Sequence, residues 1–300
     1  MTNLQQLRHF VAVAEQGSFA RAAEQINLSQ PALSRSIQTL ESSLNCQLLD
    51  RHSRGLSLTA HGQLVLEHAR RLLAGGRALR NAVMQLGNLE AGELLLGSGP
   101  YPAARLVPQA LGRMVSEHPR VKVKLLVDNW RGLRSHLLSD ELELFVADIR
   151  HLEDDPLLHV EALGTYPGVI CCRPDHPLAE LKTVSMETAL TYPLAATQLP
   201  LLVARELSSL AGREEPVSIQ CDNFMVLRTL AIESDVLAIA PWDVVAEDVT
   251  RGTLIVLQMD GEAFQQKSAY GLVSRAGHSL SPAALLLRQH VLDQPMIRPR

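Results

Sequence analysis

Cysteine is scarce in this sequence, and the few cysteines present do not suit a disulfide scaffold or a metal site. The 300 residues include four cysteines, Cys46, Cys171, Cys172 and Cys221, with no C-x-x-C pair. Adjacent cysteines cannot easily bridge each other, so small buried thiols are the simplest interpretation. We therefore expect a cytoplasmic protein that carries no metal and no cofactor.

Long apolar runs and catalytic signatures are missing as well. No stretch approaches the ~18 apolar residues of a membrane span, and the N-terminus lacks the basic and apolar segments of a secretory signal. No nucleophile elbow, P-loop or dinucleotide fingerprint occurs, and Glu67-His68 lacks the second histidine of a zinc helix. We expect neither a membrane partner nor an enzyme. An enzyme stays as the first alternative, and it would not retard DNA from its own upstream region.

Lysine is absent from the N-terminal part, where every basic side chain is arginine. Residues 1–90 hold nine arginines and six carboxylates, a net charge of +3, whereas residues 91–300 have a net charge of −7. Arginine pairs well with phosphates and base edges. This asymmetry favours a DNA-facing N-terminal part on an acidic body. The chain's length fits two or three domains.

Apolar spacing predicts two helices at the start of the chain. The first ends at Gly17, and Ser18 is placed to cap a second helix over residues 19–26. Small Ala22 and Ala23 allow the helices to pack closely. The apolar positions of the first helix are Leu4, Leu7, Phe10, Val11 and Ala14.

A third helix is predicted to read DNA. Ser29 is its candidate N-cap, and Pro31 is tolerated in its first turn. Its polar face differs from an ordinary solvated face, which usually carries Glu or Lys, and its groups can reach base edges. This face carries Gln30, Ser34, Arg35 and Gln38, opposite an apolar stripe of Leu33, Ile37, Leu40 and Leu44.

A β-hairpin is predicted over residues 48–59, where two apolar pieces flank a basic turn with Gly55. Arg51 and Arg54 of this wing would approach the DNA backbone or the minor groove.

The stretch from Phe10 to Thr59 resembles the signature of LysR-type transcriptional regulators. The matching segments are Phe10-x-x-Val13-Ala14-Glu15-x-Gly17-Ser18-Phe19, Leu28-Ser29-Gln30-Pro31-Ala32-Leu33-Ser34-Arg35 and Leu48-Leu49-x-Arg51. The resemblance implies an α/β protein: an N-terminal winged helix-turn-helix, a long linker helix and a two-subdomain effector domain like the periplasmic binding proteins. The resemblance implies DNA contacts by Gln30, Pro31, Ser34, Arg35, Arg51, Arg54 and Thr59. To these we add Ser29 and Gln38, from the start and the polar face of the same helix.

The segment after Thr59, a candidate N-cap, has helical character over residues 60–88. Heptad spacing predicts a seam that a partner helix would bury, and packing of the seam on the chain's own body is the alternative. The Gly75-Gly76 pair predicts a bend or a close helix crossing. The predicted dimer contacts are Val65, Leu72, Leu79, Val83 and Leu86.

In the remaining two hundred residues, the order of apolar segments predicts repeated β-α-β units. Such units imply a parallel sheet with ligand loops at the strand ends. Strands are predicted over 93–97, 121–127, 142–147, 167–172, 217–220 and 236–240, with a returning segment over 253–258. Helices are predicted over 102–118, 131–139, 223–233 and 281–292.

The family resemblance extends here through Arg173-Pro-Asp-His176-Pro177-Leu178. It implies a division into residues 1–59, 60–89 and 90–300, with subdomain I over about 90–161 and 268–300 and subdomain II over about 162–267. Effector-cleft candidates follow the strand ends: Ser98, Gly99, Pro100, Tyr101, Asn129, Trp130, Asp148, Thr197, Gln198, Asn223 and Phe224, with Arg131, Arg150 and Trp242 beside them.

Tyr101 departs from the family, which often has a small Ser or Thr there that helps to hold the effector. The usual small carboxylate ligand is therefore in doubt, and a constitutive regulator with a sealed cleft is an alternative. A thiol-based redox regulator is another, but residues 195–215, where its cysteines would lie, contain none.

The resemblance also implies the partners. These are double-stranded DNA with a pseudo-palindromic site, a small carboxylate or aromatic effector that shifts the DNA bend or half-site spacing, further copies of the chain as a dimer or tetramer, and RNA polymerase.

Overall fold

The computed structural model describes residues 3–52, 55–85, 93–260 and 267–295. The chain divides into two compact units. The first comprises Met1–Asn88 and Leu138–Glu141, and the second comprises Leu89–Leu137 and Leu142–Arg300.

The first unit holds four helices and a hairpin among its described residues. They are α1 (Leu4–Gln16), α2 (Phe19–Gln25), α3 (Gln30–Leu44), β1 (Leu49–His52), β2 (Gly55–Leu58) and α4 (Ala60–Gln85).

Local signals account for most helix ends in this unit. Asn3 and Gln6 form a capping box at α1, and Gly17 ends that helix in the left-handed conformation with φ 56°. Ser29 accepts a hydrogen bond from Ala32 N at 3.4 Å, as its predicted N-cap role requires. Ser18 occupies the N-cap position of α2, as predicted, although its side chain makes no capping hydrogen bond.

The core of the first unit forms where α1, α2 and α3 meet. Leu33, Ile37 and Leu40 are buried as predicted. The buried stripe of α1 is rotated from the predicted one: Leu4 is 49% exposed, whereas Val13 is fully buried. The rotation follows from α4, which also packs on α1.

Helix α4 runs without interruption through the glycine pair. A Cβ at Gly76 would lie 3.7 Å from Leu4 Cδ1, so Gly76 lies close to α1. Gly76 therefore packs on α1 at an ordinary van der Waals distance, and the predicted bend stays a prediction. Thr59 caps α4, because its Oγ1 accepts from Gly62 N at 2.9 Å and donates to Gln47 O at 2.7 Å.

The second unit is built on one continuous sheet with helices around it. Its elements are β3 (Glu93–Ser98), α5 (Leu106–Glu117), β4 (Lys122–Val127), α6 (Trp130–Leu138), β5 (Leu144–Asp148), β6 (Leu158–Cys172), α7 (Met186–Ala189), β7 (Leu194–Ala196), α8 (Leu201–Ala211), β8 (Ile219–Gln220), α9 (Phe224–Glu233), β9 (Leu237–Pro241), α10 (Trp242–Arg251), β10 (Ile255–Val256), β11 (Lys267–Arg275) and α11 (Pro282–Leu292). The strand order is β4-β3-β5-β11-β6-β9-β7-β8, and β10 pairs with β6.

The sheet is mixed, which corrects the predicted parallel sheet. Strand β3 is parallel to β4 and β5, and β7 is parallel to β8 and β9. Between these two parallel sets, β11 is antiparallel to β5 and β6, and β6 is antiparallel to β9. We call β3–β5 with α5, α6 and α11 the first lobe, and β7–β9 with α7–α10 the second lobe. Strands β6 and β11 join them.

Two strand predictions fail at this junction. Strand β6 begins at Leu158 rather than 167, and the predicted returning segment over 253–258 contains only β10, which pairs with Cys171 and Cys172 of β6. The strand that returns to the first lobe is β11. Among the described residues, no helix combines the length and apolarity needed to cross a bilayer.

Candidate functional site

The exposed face of α3 carries the polar residues singled out from the sequence. Gln30, Pro31, Arg35 and Gln38 are exposed and Ser34 is half-buried, on the side away from the buried stripe of α3. One helix thus presents amide, hydroxyl and guanidinium groups together, with no described acidic side chain among them. Such a set can donate to and accept from base edges in a major groove.

Contacts that sequence reasoning missed hold this face in place. His9 Nδ1 and Ser36 Oγ lie 2.7 Å apart and join α1 to α3. Burial, with the nearby charge of Arg8, lowers the pKa of His9 and favours its neutral form. Glu41 at the far end of α3 accepts hydrogen bonds from Leu48 N and Leu49 N at 2.8 and 3.3 Å. The hairpin is therefore anchored to the same helix.

The predicted hairpin is present, with β1 and β2 paired antiparallel from Leu49↔Leu58 to His52↔Gly55. Arg51 lies in β1, but its side chain and all of Arg54 are outside the described residues. Behind the hairpin, a Cβ placed on Gly62 would lie 2.0 Å from Leu48 O. Glycine is therefore required where α4 meets the hairpin.

The outward side of α4 carries exposed leucines, two of which, Leu72 and Leu79, belong to the predicted seam. Leu64, Leu72 and Leu79 are 55%, 56% and 67% exposed. Val65 is half-buried against the core of the first unit, next to the buried Ala69, and its role as a dimer contact stays a prediction. Leu64, beside it in the sequence, is the exposed residue at this end of the helix. The Val83 side chain and Leu86 are outside the described residues.

Tyr101 joins the two lobes of the second unit. It follows β3 of the first lobe, and its hydroxyl donates to Ile239 O in β9 at 3.0 Å and accepts from Thr197 Oγ1 at 3.1 Å. Its ring meets Phe224 of α9 edge-on at 5.8 Å. Burial raises the pKa of Tyr101 to about 12, so the hydroxyl stays protonated. Three of the predicted cleft residues, Tyr101, Thr197 and Phe224, thus meet in one place.

Two of the other predicted cleft residues form hydrogen bonds to the backbone next to them. Asn129 caps α6 by accepting from Arg131 N and Gly132 N at 3.1 and 3.2 Å. Asn223 caps α9 by accepting from Met225 N at 3.0 Å. These side chains therefore hold helix starts, and a ligand would have to compete for them.

The remaining candidates are divided between paired and buried positions. Asp148 pairs with Arg150 at 2.7 Å. Ser98 is fully buried and donates to Gly99 O at 3.0 Å, and Pro100 is half-buried beside them. Trp130 packs against His151 at 5.4 Å and beneath the Arg131 guanidinium at 4.9 Å. The exposed Gln198 donates its backbone N–H to Asp222 Oδ1 at 3.3 Å.

A buried polar group between the lobes escaped sequence reasoning. Asp243, in the first turn of α10, is 1% exposed and accepts from the Tyr270 hydroxyl at 3.1 Å. Arg105, at the start of α5, points its Nε at Asp243 Oδ2 from 3.9 Å. Burial raises the pKa of Asp243 to about 6, while the Arg105 charge opposes the rise.

The cysteines of β6 are poor candidates for redox chemistry. Burial raises the pKa of Cys171 to about 12 and that of Cys172 to about 11. Since the thiolate is the reactive form, both are held unreactive. Within the described ranges, no group of three or more His, Cys, Asp or Glu side chains is placed to hold a metal.

Comparison with known proteins assigns both parts of the chain. Residues 4–63 match the model for the bacterial regulatory helix-turn-helix protein of the lysR family, and residues 87–295 match the LysR substrate binding domain. The SDS degradation transcriptional activation protein of Pseudomonas sp. (strain ATCC 19151) is 60% identical over 296 residues, which cover 98% of this chain and 97% of that protein. The uncharacterized HTH-type transcriptional regulator YdcI of Escherichia coli (strain K12) is 26% identical over 95% of this chain and 93% of its own.

Solved structures share the fold. The crystal structure of CbnR, a LysR family transcriptional regulator, is 23% identical with a TM-score of 0.67, covering 97% of this chain and 98% of that one. Full-length CbnR has also been solved in complex with its target DNA, and it matches with 22% identity, a TM-score of 0.67 and coverage of 97% of this chain and 99% of that one.

Proposed function

This chain belongs to the LysR family of transcriptional regulators, and from that premise we propose how its parts divide the work. It is a DNA-binding regulator whose substrate-binding domain takes an effector ligand. We assign residues 1–59 to DNA binding, 60–89 to a linker and dimerisation helix, and 90–300 to effector binding. Subdomain I comprises about 90–161 and 268–300, and subdomain II about 162–267.

The observation that carries the DNA-binding assignment is the polar, exposed face of α3 beside an anchored hairpin. We assign base contacts to Gln30, Ser34 and Arg35, with Pro31 shaping the helix start. Flanking contacts to the DNA backbone or minor groove go to Ser29, Gln38, Arg51, Arg54 and Thr59. A regulator with this task works on the chromosome, so we place it in the cytoplasm.

The regulated process is proposed from the Pseudomonas relative, whose name states that it activates SDS degradation. At 60% identity over nearly the whole length, we assign the same kind of role here: activation of genes for alkyl sulfate breakdown, through contact with RNA polymerase. This replaces a small carboxylate or aromatic effector with one that carries an alkyl chain. No enzymatic activity of its own is part of this role.

A sealed cleft in a constitutive regulator is the competing candidate, and the Tyr101 contacts favour it. Because the hydroxyl bonds to Ile239 O and Thr197, an effector entering between the lobes has to displace it. Under the proposed function the ligand opens this contact and changes the DNA bend or half-site spacing. Under the competing one no ligand does.

The experiment that separates them measures DNA binding by fluorescence anisotropy. Full-length protein is titrated onto DNA from upstream of its own gene, with and without octyl sulfate or 1-octanol. We expect binding that competitor DNA of scrambled sequence does not displace, and a ligand-dependent change in affinity or in DNA bend. Specific binding without any ligand response would favour the constitutive candidate, and no specific binding would contradict the proposed function.

We propose that the exposed leucines of α4 bind a second copy of the chain. Leu72→Asp with Leu79→Asp is expected to convert the dimer or tetramer to smaller species, because the charges would be buried without partners in the helix pair. Light scattering after size-exclusion chromatography measures the change. Leu157→Asp, at a leucine 52% exposed in the second unit, is the matched control and should leave the mass unchanged. An unchanged mass in the double variant would refute the interface.

A further inference from the structure

Arg105 and Asp243 face each other between the lobes, and each carries buried polar atoms without a hydrogen-bond partner among the described residues. Within the described part of the chain, Arg105 Nε and Nη2, Asp243 Oδ2 and Trp242 Nε1 are buried atoms without a hydrogen-bond partner. The Arg105 and Asp243 side chains are 13% and 1% exposed, and the 3.9 Å between Nε and Oδ2 is too long for a hydrogen bond. Buried polar groups are rarely left in this state.

The rest of both side chains is already engaged, so the open atoms are well defined. Asp243 Oδ1 accepts from the Tyr270 hydroxyl at 3.1 Å, which leaves Oδ2. Arg105 Nη1 donates to Gln109 Oε1 at 3.2 Å, and the guanidinium also lies beside the Tyr166 hydroxyl. Its Nε and Nη2 are the buried atoms without a partner. The open acceptor is therefore Asp243 Oδ2 on the second lobe. The open donors are Arg105 Nε and Nη2 on the first lobe and Trp242 Nε1 on the second.

We propose that this cluster is the polar subsite of the effector site and that it takes a hydroxyl group. An oxygen at about 2.8 Å from both Arg105 Nε and Asp243 Oδ2 makes an angle of roughly 90° with them, given their 3.9 Å separation. A hydroxyl can therefore accept from the guanidinium and donate to the carboxylate at the same time. The Trp242 indole N–H, one residue before Asp243, supplies a further donor.

The same geometry disfavours an anionic head group. A sulfate or carboxylate only accepts hydrogen bonds, so it leaves Asp243 Oδ2 unsatisfied and adds a second negative charge beside it. Such a ligand enters only with a proton on Asp243, whose pKa of about 6 is raised further by the new charge. The subsite therefore selects a neutral alcohol.

This inference rests on the proposed function and narrows it. An alkyl sulfate and water give the alcohol and hydrogen sulfate on hydrolysis, so the ligand selected is the product of a sulfate-ester hydrolysis. The regulator would then respond to the product of the breakdown rather than to the sulfate ester itself.

Tryptophan fluorescence of the full-length protein tests the subsite directly. The chain has two tryptophans, and Trp130→Phe leaves Trp242 as the reporter. We expect 1-octanol to bind more tightly at pH 8 than at pH 5.5, because protonation of Asp243, with its pKa of about 6, removes the charged acceptor. Octyl sulfate, used below its micelle concentration, should bind at least tenfold more weakly at pH 8 than at pH 5.5. Octyl sulfate binding as tightly as 1-octanol at pH 8 would overturn the subsite.

Two variants test the residues. Asp243→Asn removes the charge and leaves one acceptor oxygen, which the Tyr270 hydroxyl engages, so it should weaken 1-octanol at least tenfold and strengthen octyl sulfate at pH 8. A merely structural role would shift both ligands in the same direction. Arg105→Lys should weaken 1-octanol, and Asp175→Asn, at an exposed aspartate of the same unit, should change neither ligand. Unchanged 1-octanol binding in both cluster variants would refute the assignment.

The two levels of the proposal fail in different ways. If Trp242 responds to neither ligand while a reporter promoter still responds to alkyl sulfate in cells, the subsite is wrong and the proposed function stands. If the promoter does not respond either, the proposed function is wrong as well.

Discussion

Arg35→Ala is expected to weaken binding to the target DNA by about 1–3 kcal/mol, or roughly ten- to a hundredfold. The side chain is exposed on the polar face of α3, while Leu33 and Ile37 on the other side hold the helix in the core. The loss should therefore come from a missing guanidinium and not from unfolding. Fluorescence anisotropy at fixed ionic strength measures it, with thermal unfolding as the check on the fold.

Arg71→Ala is the matched control for that experiment. Arg71 is also an exposed arginine of the first unit, but it lies on α4 and pairs with Glu67 one turn away. Arg71→Ala lowers the net charge of the protein by one, as Arg35→Ala does. Any weakening of DNA binding that it causes therefore measures the non-specific electrostatic contribution. If both variants lose equal affinity, or if Arg35→Ala keeps wild-type affinity for the specific site, α3 is not the recognition helix.

Gly62→Ala should lower the free energy of unfolding of the first unit by about 3 kcal/mol, the upper end for overpacked positions. The added Cβ would lie 2.0 Å from Leu48 O and 3.1 Å from Leu58 Cδ2. The backbone carbonyl cannot move without breaking its bond from Thr59 N, which is 3.0 Å long. We expect the hairpin to separate from α4, with loss of specific DNA binding.

Gly75→Ala separates this steric effect from the helix preference of alanine. Gly75 lies in the same helix, and a Cβ there would meet no atom within 4 Å, so alanine should stabilise α4 by about 1 kcal/mol. Urea unfolding followed by circular dichroism measures both variants. Opposite signs are expected, and a stabilised Gly62→Ala would mean that the close approach to Leu48 is not rigid.

Prediction from sequence succeeded where the determining contacts are local. Helix α3 was found from Ser29, Pro31 and its apolar spacing because a cap acts within one turn and the period is 3.6 residues. Strands β6 and β11 were largely missed because their partners are remote in sequence. Tyr270, for example, lies opposite Asp148 and Gly164. Nothing within either segment specifies that pairing.

In the candidate cleft too, local features could be predicted from the sequence and contacts between remote residues could not. The position of Tyr101, Thr197 and Phe224 after strand ends predicts that they lie near the cleft, and they do meet. The bond from the Tyr101 hydroxyl to Ile239 O does not follow from spacing. Arg105 and Asp243 are 138 residues apart in the numbering of the chain, and each alone resembles an ordinary surface charge. Only the fold shows that both are buried and face each other.

The order of the strands has a consequence for how the protein is made. Strand β11 lies between β5 and β6 in the sheet, and α11 packs against α5, yet both come at the end of the chain. The second lobe can form as soon as its own strands leave the ribosome, whereas the first lobe waits for nearly the whole chain. A chain that ends after residue 260 would therefore present a paired second lobe and an exposed edge of β5, so synthesis of the last segment guards against misassembly.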